Sequence, residues 1–125
     1  MGIVGLDHVQ VAAPPGCEDE ARAFYAGLLG LEEISKAPLL LARGGCWFRV
    51  GRQELHVGVV ESFASATKAH PGLSVSSTDA LRELAERLAE AGAAVEWADP
   101  AELSDRARFH VRDPWGNRLE LLAPR

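Results

Sequence analysis

The sequence predicts an α+β fold built from two βαβββ repeats. Three observations support this prediction. The order of strand-like and helix-like segments is the same in residues 1–60 and in residues 70–125, each half holds one amphipathic helix, and short turns containing glycine separate the remaining segments. An internal repeat of this kind identifies an architecture. We expect a single domain over residues 1–125, because domains of roughly 100–150 residues are the commonest.

In the first half, apolar and polar residues alternate over Leu6–Ala13, which predicts a half-buried strand. A helix follows, because acidic residues occupy its first turn, where the helix dipole favours negative charge, and Gly30 suits its C-terminal end. One face of this helix is apolar: Ala21, Phe24, Tyr25, Leu28 and Leu29. Turns then separate three more predicted strands: Leu39–Arg43, Cys46–Val50 and Glu54–Val60.

The second half repeats this order. His70–Ser76 is predicted to be a strand, and Thr78 is predicted to cap the N-terminus of a helix that Gly92 closes. The apolar face of this helix consists of Leu81, Leu84, Ala85, Leu88 and Ala91. Strands are predicted at Ala94–Ala98, Arg108–Arg112 and Arg118–Leu122, with a tight connection, Asp113–Asn117, between the last two.

Charge and composition exclude several classes of protein. The 125 residues carry a net charge of −5, and without a basic run this argues against nucleic acid as a partner. The apolar run Pro38–Ala42 is far shorter than the roughly 20 residues of a membrane-spanning helix, so we expect no membrane partner. The N-terminus shows no cleavage pattern. We therefore expect a cytoplasmic protein in which Cys17 and Cys46 are reduced thiols.

Histidines and carboxylates fall on the strand faces that point away from the helices. Leu55 and Val57 share the face that packs on the helix, so Glu54 and His56 lie on the other face. The same alternation sets His8, His70 and Glu120 on the helix-free face, with the two histidines and the two carboxylate strands at matching places in the repeats. Such a face is either open to water or curled around a cavity. If it curls, the side chains converge in a set that suits Fe, Zn, Ni, Mn or Co.

Further side chains on the same face are candidates for substrate binding. They are Trp47 and Arg49 on one predicted strand and Arg108, His110 and Arg112 on another. An arginine in a cavity binds anions through its guanidinium fork. The alternative for Arg49 and Arg112 is that they reach water at the end of the sheet.

The whole chain resembles the vicinal oxygen chelate superfamily, which includes glyoxalase I, bleomycin-resistance proteins and extradiol dioxygenases. The resemblance is carried by residues 6–9, 23–25, 28–31, 70–75 and 113–121, the last reading Asp-Pro-Trp-Gly-Asn-Arg-Leu-Glu-Leu. It implies a curled mixed sheet around a cavity, with the helices outside. It also implies a divalent metal ion held by His8, His70 and Glu120. The fourth ligand is Glu54 or His56, and we favour His56 because Glu54 adjoins a turn.

Two functions follow from this resemblance. The first is a small metal-dependent enzyme acting on a small oxygenated substrate, a glyoxalase-like lyase or isomerase or a ring-cleaving dioxygenase, with Glu120 or Glu54 as the general base. The second is a metal-free small-molecule or drug-binding protein of the bleomycin-resistance type. Retention of His8, His70 and Glu120 favours the enzyme. We also expect a homodimer, because a sheet with unpaired edges is usually covered or paired.

Overall fold

The computed structural model describes residues 2–125, which fall into two compact units, residues 2–65 and residues 66–125. Each unit follows one strand with a helix and then three strands, and each contains a four-stranded mixed sheet. The predicted pair of βαβββ repeats is therefore confirmed.

Among residues 2–125, no helix is long and apolar enough to cross a membrane.

The first unit contains the strands β1 (His8–Ala13), β2 (Glu32–Ile34), β3 (Cys46–Val50) and β4 (Gln53–Val59). Their order in the sheet is β1-β4-β3-β2, with β1 parallel to β4 and the other pairs antiparallel. The helix α1 (Glu18–Ala21) continues as a π-helical segment, Arg22–Leu28, which packs on β2 and β3.

The predicted strand Leu39–Arg43 is wrong, because Pro38–Arg43 forms a 3-10 helix. Pro38 occupies the start of this helix, where its fixed φ is already helical, and a continuous apolar run does not distinguish strand from helix by period. The strand that the prediction missed is β2. It carries two adjacent charged residues, Glu32 and Glu33, and therefore lacks the alternation that would have marked it.

The second unit contains β5 (Gly72–Ser74), α2 (Thr78–Glu90), β6 (Glu96–Trp97), β7 (Arg106–Arg112) and β8 (Arg118–Pro124). The order of its sheet is β5-β8-β7-β6, with β5 parallel to β8, as in the first unit. The helix α2 packs on β7 and β8.

Two details at the start of the second unit differ from the prediction. His70 does not open a strand. It precedes β5, because Pro71 has no N–H to donate to a ladder. The cap of α2 is Ser77 rather than Thr78, since the Ser77 hydroxyl oxygen accepts a hydrogen bond from the Ala80 N–H at 3.1 Å.

Alternating burial along β7 and β8 confirms the predicted facing, and on β4 the apolar Leu55 and Val57 are buried. Leu55, Phe109 and Leu119 are completely buried, while their neighbours along each strand are more exposed or polar. Leu81 and Leu88 supply the buried face of α2. The predicted apolar faces of the helices are wider than the buried ones, because Leu28 and Leu84 are only half-buried.

Candidate functional site

The connection between β7 and β8 sets the register of the second unit's candidate site. The buried Asp113 carboxylate accepts hydrogen bonds from the backbone N–H groups of Trp115 and Asn117 at 3.0 and 2.8 Å and from the Asn117 side-chain amide at 2.8 Å. Gly116 adopts a φ of +90°, which favours glycine. This turn pairs His110 with Glu120 across the two strands.

Glu120 is the centre of a cluster of four side chains in this unit. Its Oε1 atom lies 2.9 Å from His110 Nε2, 3.2 Å from Arg108 Nη1 and 3.4 Å from His70 Nε2. The Glu120 side chain is 14% exposed. The structure therefore brings together two of the predicted metal ligands, His70 and Glu120, with two residues that were predicted to bind substrate.

The hydrogen bonding of His70 determines which of its ring nitrogens is free. Its Nδ1 atom lies 2.8 Å from the Lys68 carbonyl oxygen. Because a carbonyl only accepts, Nδ1 carries a proton, so the neutral form of the ring has its lone pair on Nε2, the atom that faces the Glu120 carboxylate. A backbone carbonyl bound to the far nitrogen is the usual support for a metal-ligating histidine.

The cluster favours the ionised form of Glu120. Burial raises the pKa of this carboxyl, but the hydrogen bond from His110 and the charges of His110, Arg108 and His70 outweigh burial. They hold the pKa of Glu120 below its ordinary value. The carboxylate that a metal ion requires is therefore the stable form at neutral pH.

These side chains fit a divalent cation. The ligand atoms of His70, His110 and Glu120 all lie within 4.8 Å of one another. Two ligands bound to one ion at about 2.0–2.2 Å are roughly 3–4 Å apart, and Glu120 Oε1 lies close to this range from His110 Nε2, at 2.9 Å, and from His70 Nε2, at 3.4 Å. The donor set of two imidazoles and one carboxylate is the set that catalytic zinc and non-haem iron sites use.

The first unit contains a cavity of about 550 Å³ on the helix-free face of its sheet. A stack of three rings lines it. The His56 ring lies 4.2 Å from the Trp47 ring and 4.2 Å from the His8 ring, nearly parallel to both. His56 Nε2 lies 2.9 Å from Glu54 Oε1, and both residues line the cavity. The structure therefore groups His8, Glu54 and His56 around one cavity, with the histidine rings face to face.

The register relates His8 and His56 of the first unit to His70 and Glu120 of the second. In the first unit, His8 lies opposite Glu54 across β1 and β4. In the second, Gly72 lies opposite Glu120, and His70 lies two residues before Gly72. Gln10, two residues after His8, lies opposite His56, so the two histidines occupy matching positions and Glu120 matches His56 rather than Glu54. The parallel pairing in the second unit begins later, because Pro71 precedes it.

The remaining predicted substrate-binding residues lie apart from these groups. Arg49 is exposed on β3, with its Nε atom 4.0 Å from Glu32 Oε2. Arg112 is also exposed, and it donates a hydrogen bond to the Gly116 carbonyl at 2.9 Å. For both, the alternative of an arginine that reaches water agrees with the structure.

Sequence reasoning missed several residues around both groups. In the first unit, Gln10, Lys36 and Arg43 also line the cavity. Gln10 was detectable, because it shares the polar face of β1 with His8. In the second unit, Glu102 forms an ion pair with Arg108 at 2.9 Å, and no periodic pattern marks this loop residue. The two cysteines are buried free thiols, and burial raises the pKa of each to about 11.

Comparison with known proteins agrees with this architecture. The chain is 49% identical to a protein of Bacillus anthracis assigned to the glyoxalase family, whose crystal structure it matches with a TM-score of 0.89 over 98% of this chain and 97% of that chain. It is 23% identical to lactoylglutathione lyase from Agrobacterium tumefaciens, with a TM-score of 0.73 over 98% and 96% of the two chains. The fosfomycin resistance protein FosX from Listeria monocytogenes is 20% identical, with a TM-score of 0.73 over 98% and 93%. The likenesses to the lyase and FosX concern the fold.

A search of curated protein sequences found no match. The family model described as Glyoxalase/Bleomycin resistance protein/Dioxygenase superfamily matches residues 5–121, almost the whole chain. With the paired βαβββ units and the imidazole–carboxylate groups described above, this match shows that the chain belongs to the glyoxalase/bleomycin resistance protein/dioxygenase superfamily.

Proposed function

We propose that the chain is a small metal-dependent enzyme acting on a small oxygenated substrate, of the glyoxalase-like lyase or isomerase type or the ring-cleaving dioxygenase type. One observation carries the proposal. The ligand atoms of His70, His110 and Glu120 all lie within 4.8 Å of one another, so a single divalent ion can bind all three side chains.

In this proposal, His70, His110 and Glu120 hold a divalent ion such as Fe, Zn, Ni, Mn or Co. The chemistry that the ion supplies is Lewis-acid stabilisation of an oxygen that develops negative charge. Glu120 remains ionised at neutral pH, because its neighbours lower its pKa.

In the first unit, we propose Glu54 as the general base. Its carboxylate lines the cavity, is 30% exposed and lies next to the His56 imidazole, which accepts or returns a proton through Nε2 at 2.9 Å. We also predict that His8 and His56 are metal ligands and that Trp47 contacts the substrate.

Metal analysis of single variants tests the proposal. Protein is purified without chelator or nickel affinity resin, dialysed against equal Fe, Zn, Ni, Mn and Co, and its metal content measured. We expect wild type to retain close to one ion per chain, and His70→Ala, His110→Ala and Glu120→Gln to retain less than about a tenth of that. Glu83→Gln, an exposed carboxylate of α2, is the matched control and should behave as wild type.

The same experiment identifies the alternative function. If wild type binds none of these ions more tightly than millimolar, the metal-free small-molecule or drug-binding protein becomes the better account. The stacked rings of His8, His56 and Trp47 in the first unit's cavity favour that alternative, because they form a platform for an aromatic ligand.

We also propose that the chain is a cytoplasmic homodimer. The strands β1 and β2 lie at the edges of the first sheet, and β5 and β6 at the edges of the second, so each sheet has edges to cover. Analytical ultracentrifugation at micromolar concentration tests the dimer, and a purely monomeric species would contradict it.

A further inference from the structure

The guanidinium group of Arg108 is unusual because it is buried and only partly bonded. The side chain is 14% exposed, with Nη1 lying 3.2 Å from Glu120 Oε1 and Nη2 lying 2.9 Å from Glu102 Oε2. Its Nε atom is buried and has no hydrogen-bond acceptor within residues 2–125. A buried donor without a partner is costly, and a charged donor is more costly than a neutral one.

We propose that this unused donor binds an anionic oxygen of the substrate, so that the substrate class is a small carboxylate or a compound of equivalent charge. Nε and Nη2 lie on the same edge of the guanidinium, and that edge binds the two oxygens of a carboxylate together. Glu102 accepts a hydrogen bond from Nη2 alone, through a single carboxylate oxygen. When Glu102 moves away, this edge can therefore take both oxygens of one carboxylate, one at Nε and one at Nη2.

The position of Arg108 places this open donor next to the proposed metal site. Arg108 Nη1 and His110 Nε2 contact the same atom, Glu120 Oε1. An ion between His70, His110 and Glu120 therefore belongs to the same cluster as the guanidinium that would bind the carboxylate. This step rests on the proposed function.

Charge also favours an anion here. Without an ion, Glu102 and Glu120 outweigh the single positive charge of Arg108 by one unit. A divalent ion reverses the sign, so the loaded group carries one net positive charge when both imidazoles are neutral. A low-dielectric site with that excess favours a ligand with one negative charge.

In the absence of substrate, the Glu102 carboxylate then occupies the position at Arg108 that the substrate carboxylate would take. Its side chain is 60% exposed, and it belongs to the loop between β6 and β7, so it leaves the guanidinium at little cost when a carboxylate arrives. Removing the charge of Glu102 should therefore strengthen anion binding. A purely structural ion pair predicts no such gain.

The test compares two small probes of the same shape, glycolate, which is anionic, and glycolamide, which is neutral. Each is titrated calorimetrically into zinc-loaded wild type, Arg108→Gln, Glu102→Gln and Arg106→Gln. Arg106 is the matched control, because it lies on the same strand with its side chain exposed. Zinc content is measured in every sample before titration.

We expect wild type and Arg106→Gln to bind glycolate about tenfold or more tightly than glycolamide. Arg108→Gln should lose this preference, and Glu102→Gln should increase it. Equal binding of the two probes by wild type overturns the proposal, as does an unchanged preference in Arg108→Gln. If Arg108→Gln fails to fold or to hold zinc, the Glu102→Gln variant tests the proposal. Glycolate binding by Glu102→Gln that is weaker than or equal to that of wild type overturns it.

Failure of the proposed function gives a different result. In that case wild type holds no zinc, and the zinc measurement reports it before any probe is added. The two probes are then titrated into the metal-free proteins, where dependence of glycolate binding on Arg108 supports the anion site and its absence overturns it.

Discussion

His110 and Glu120 face each other across β7 and β8, with Nε2 of the imidazole 2.9 Å from Oε1 of the carboxylate. The Asp113–Asn117 turn produces this pairing, because its side-chain and backbone hydrogen bonds set the register of the two strands. His110, which was predicted to contact the substrate, is thus a direct neighbour of Glu120, the carboxylate predicted to bind the metal.

Nitrogen-15 NMR of the histidine rings should identify the ligand atoms. In zinc-free protein, we expect the His70 ring to carry its proton on Nδ1, because this atom donates to the Lys68 carbonyl. Adding zinc should move the Nε2 signals of His70 and His110. The His8 and His56 signals test the other two predicted ligands individually. A His70 ring protonated on Nε2 would contradict the proposed site.

Glu18→Gln should reduce the sensitivity of stability to acid. The Gly45 N–H, at 2.8 Å from Glu18 Oε2, is the main reason that the pKa of Glu18 lies below its ordinary value, with a smaller contribution from the Cys17 thiol. A lowered folded-state pKa gives stability that is present above the unfolded value of about 4.3 and lost as pH falls through the folded value.

Urea unfolding from about pH 6 to pH 3 measures this effect. The free energy of unfolding should fall more in wild type than in Glu18→Gln over this range. Glu20→Gln, an exposed carboxylate of the same helix, should retain the wild-type slope. Parallel slopes for wild type and Glu18→Gln would show that this hydrogen bond contributes nothing.

Gly45→Ala should destabilise the first unit far more than Gly30→Ala does. Both glycines have positive φ, +84° and +76°, so each substitution carries a backbone cost of about 1–2 kcal/mol. A Cβ at Gly45 would also lie 2.1 Å from the backbone oxygen of Val57, whereas at Gly30 nothing lies within 4 Å. Thermal unfolding checks this, and equal melting temperatures would mean that the backbone here relaxes freely.

Leu81→Ala should cost about 2–5 kcal/mol of unfolding free energy, as large-to-small changes in a core do. Leu81 is completely buried where α2 packs on its sheet. Leu84 lies on the same predicted apolar face but is only half-buried, so Leu84→Ala should cost clearly less. Chemical denaturation of the two variants compares them, and the reverse order would show that the helix faces its sheet differently.

The sequence by itself determined the repeated βαβββ order and the facing of the strands, because both depend on local periodicity. Alternation placed Leu55 and Leu119 in the core and turned Glu54 and Glu120 to the other face, as the structure has them. The prediction of secondary structure failed where periodicity was absent, in the apolar run that forms the 3-10 helix Pro38–Arg43 and in the short charged strand β2.

Only the tertiary structure decided which side chains meet. Register is set by pairing between strands that are distant in sequence, and in a parallel pair no turn transmits it. The sequence therefore did not show that Gly72, rather than His70, lies opposite Glu120. That Arg108 and His110 both reach that carboxylate depends on their side-chain rotamers, which the face of a strand does not set. Nor did the sequence show that the rings of His8 and His56 stack, since a strand sets the face of a side chain but not its rotamer.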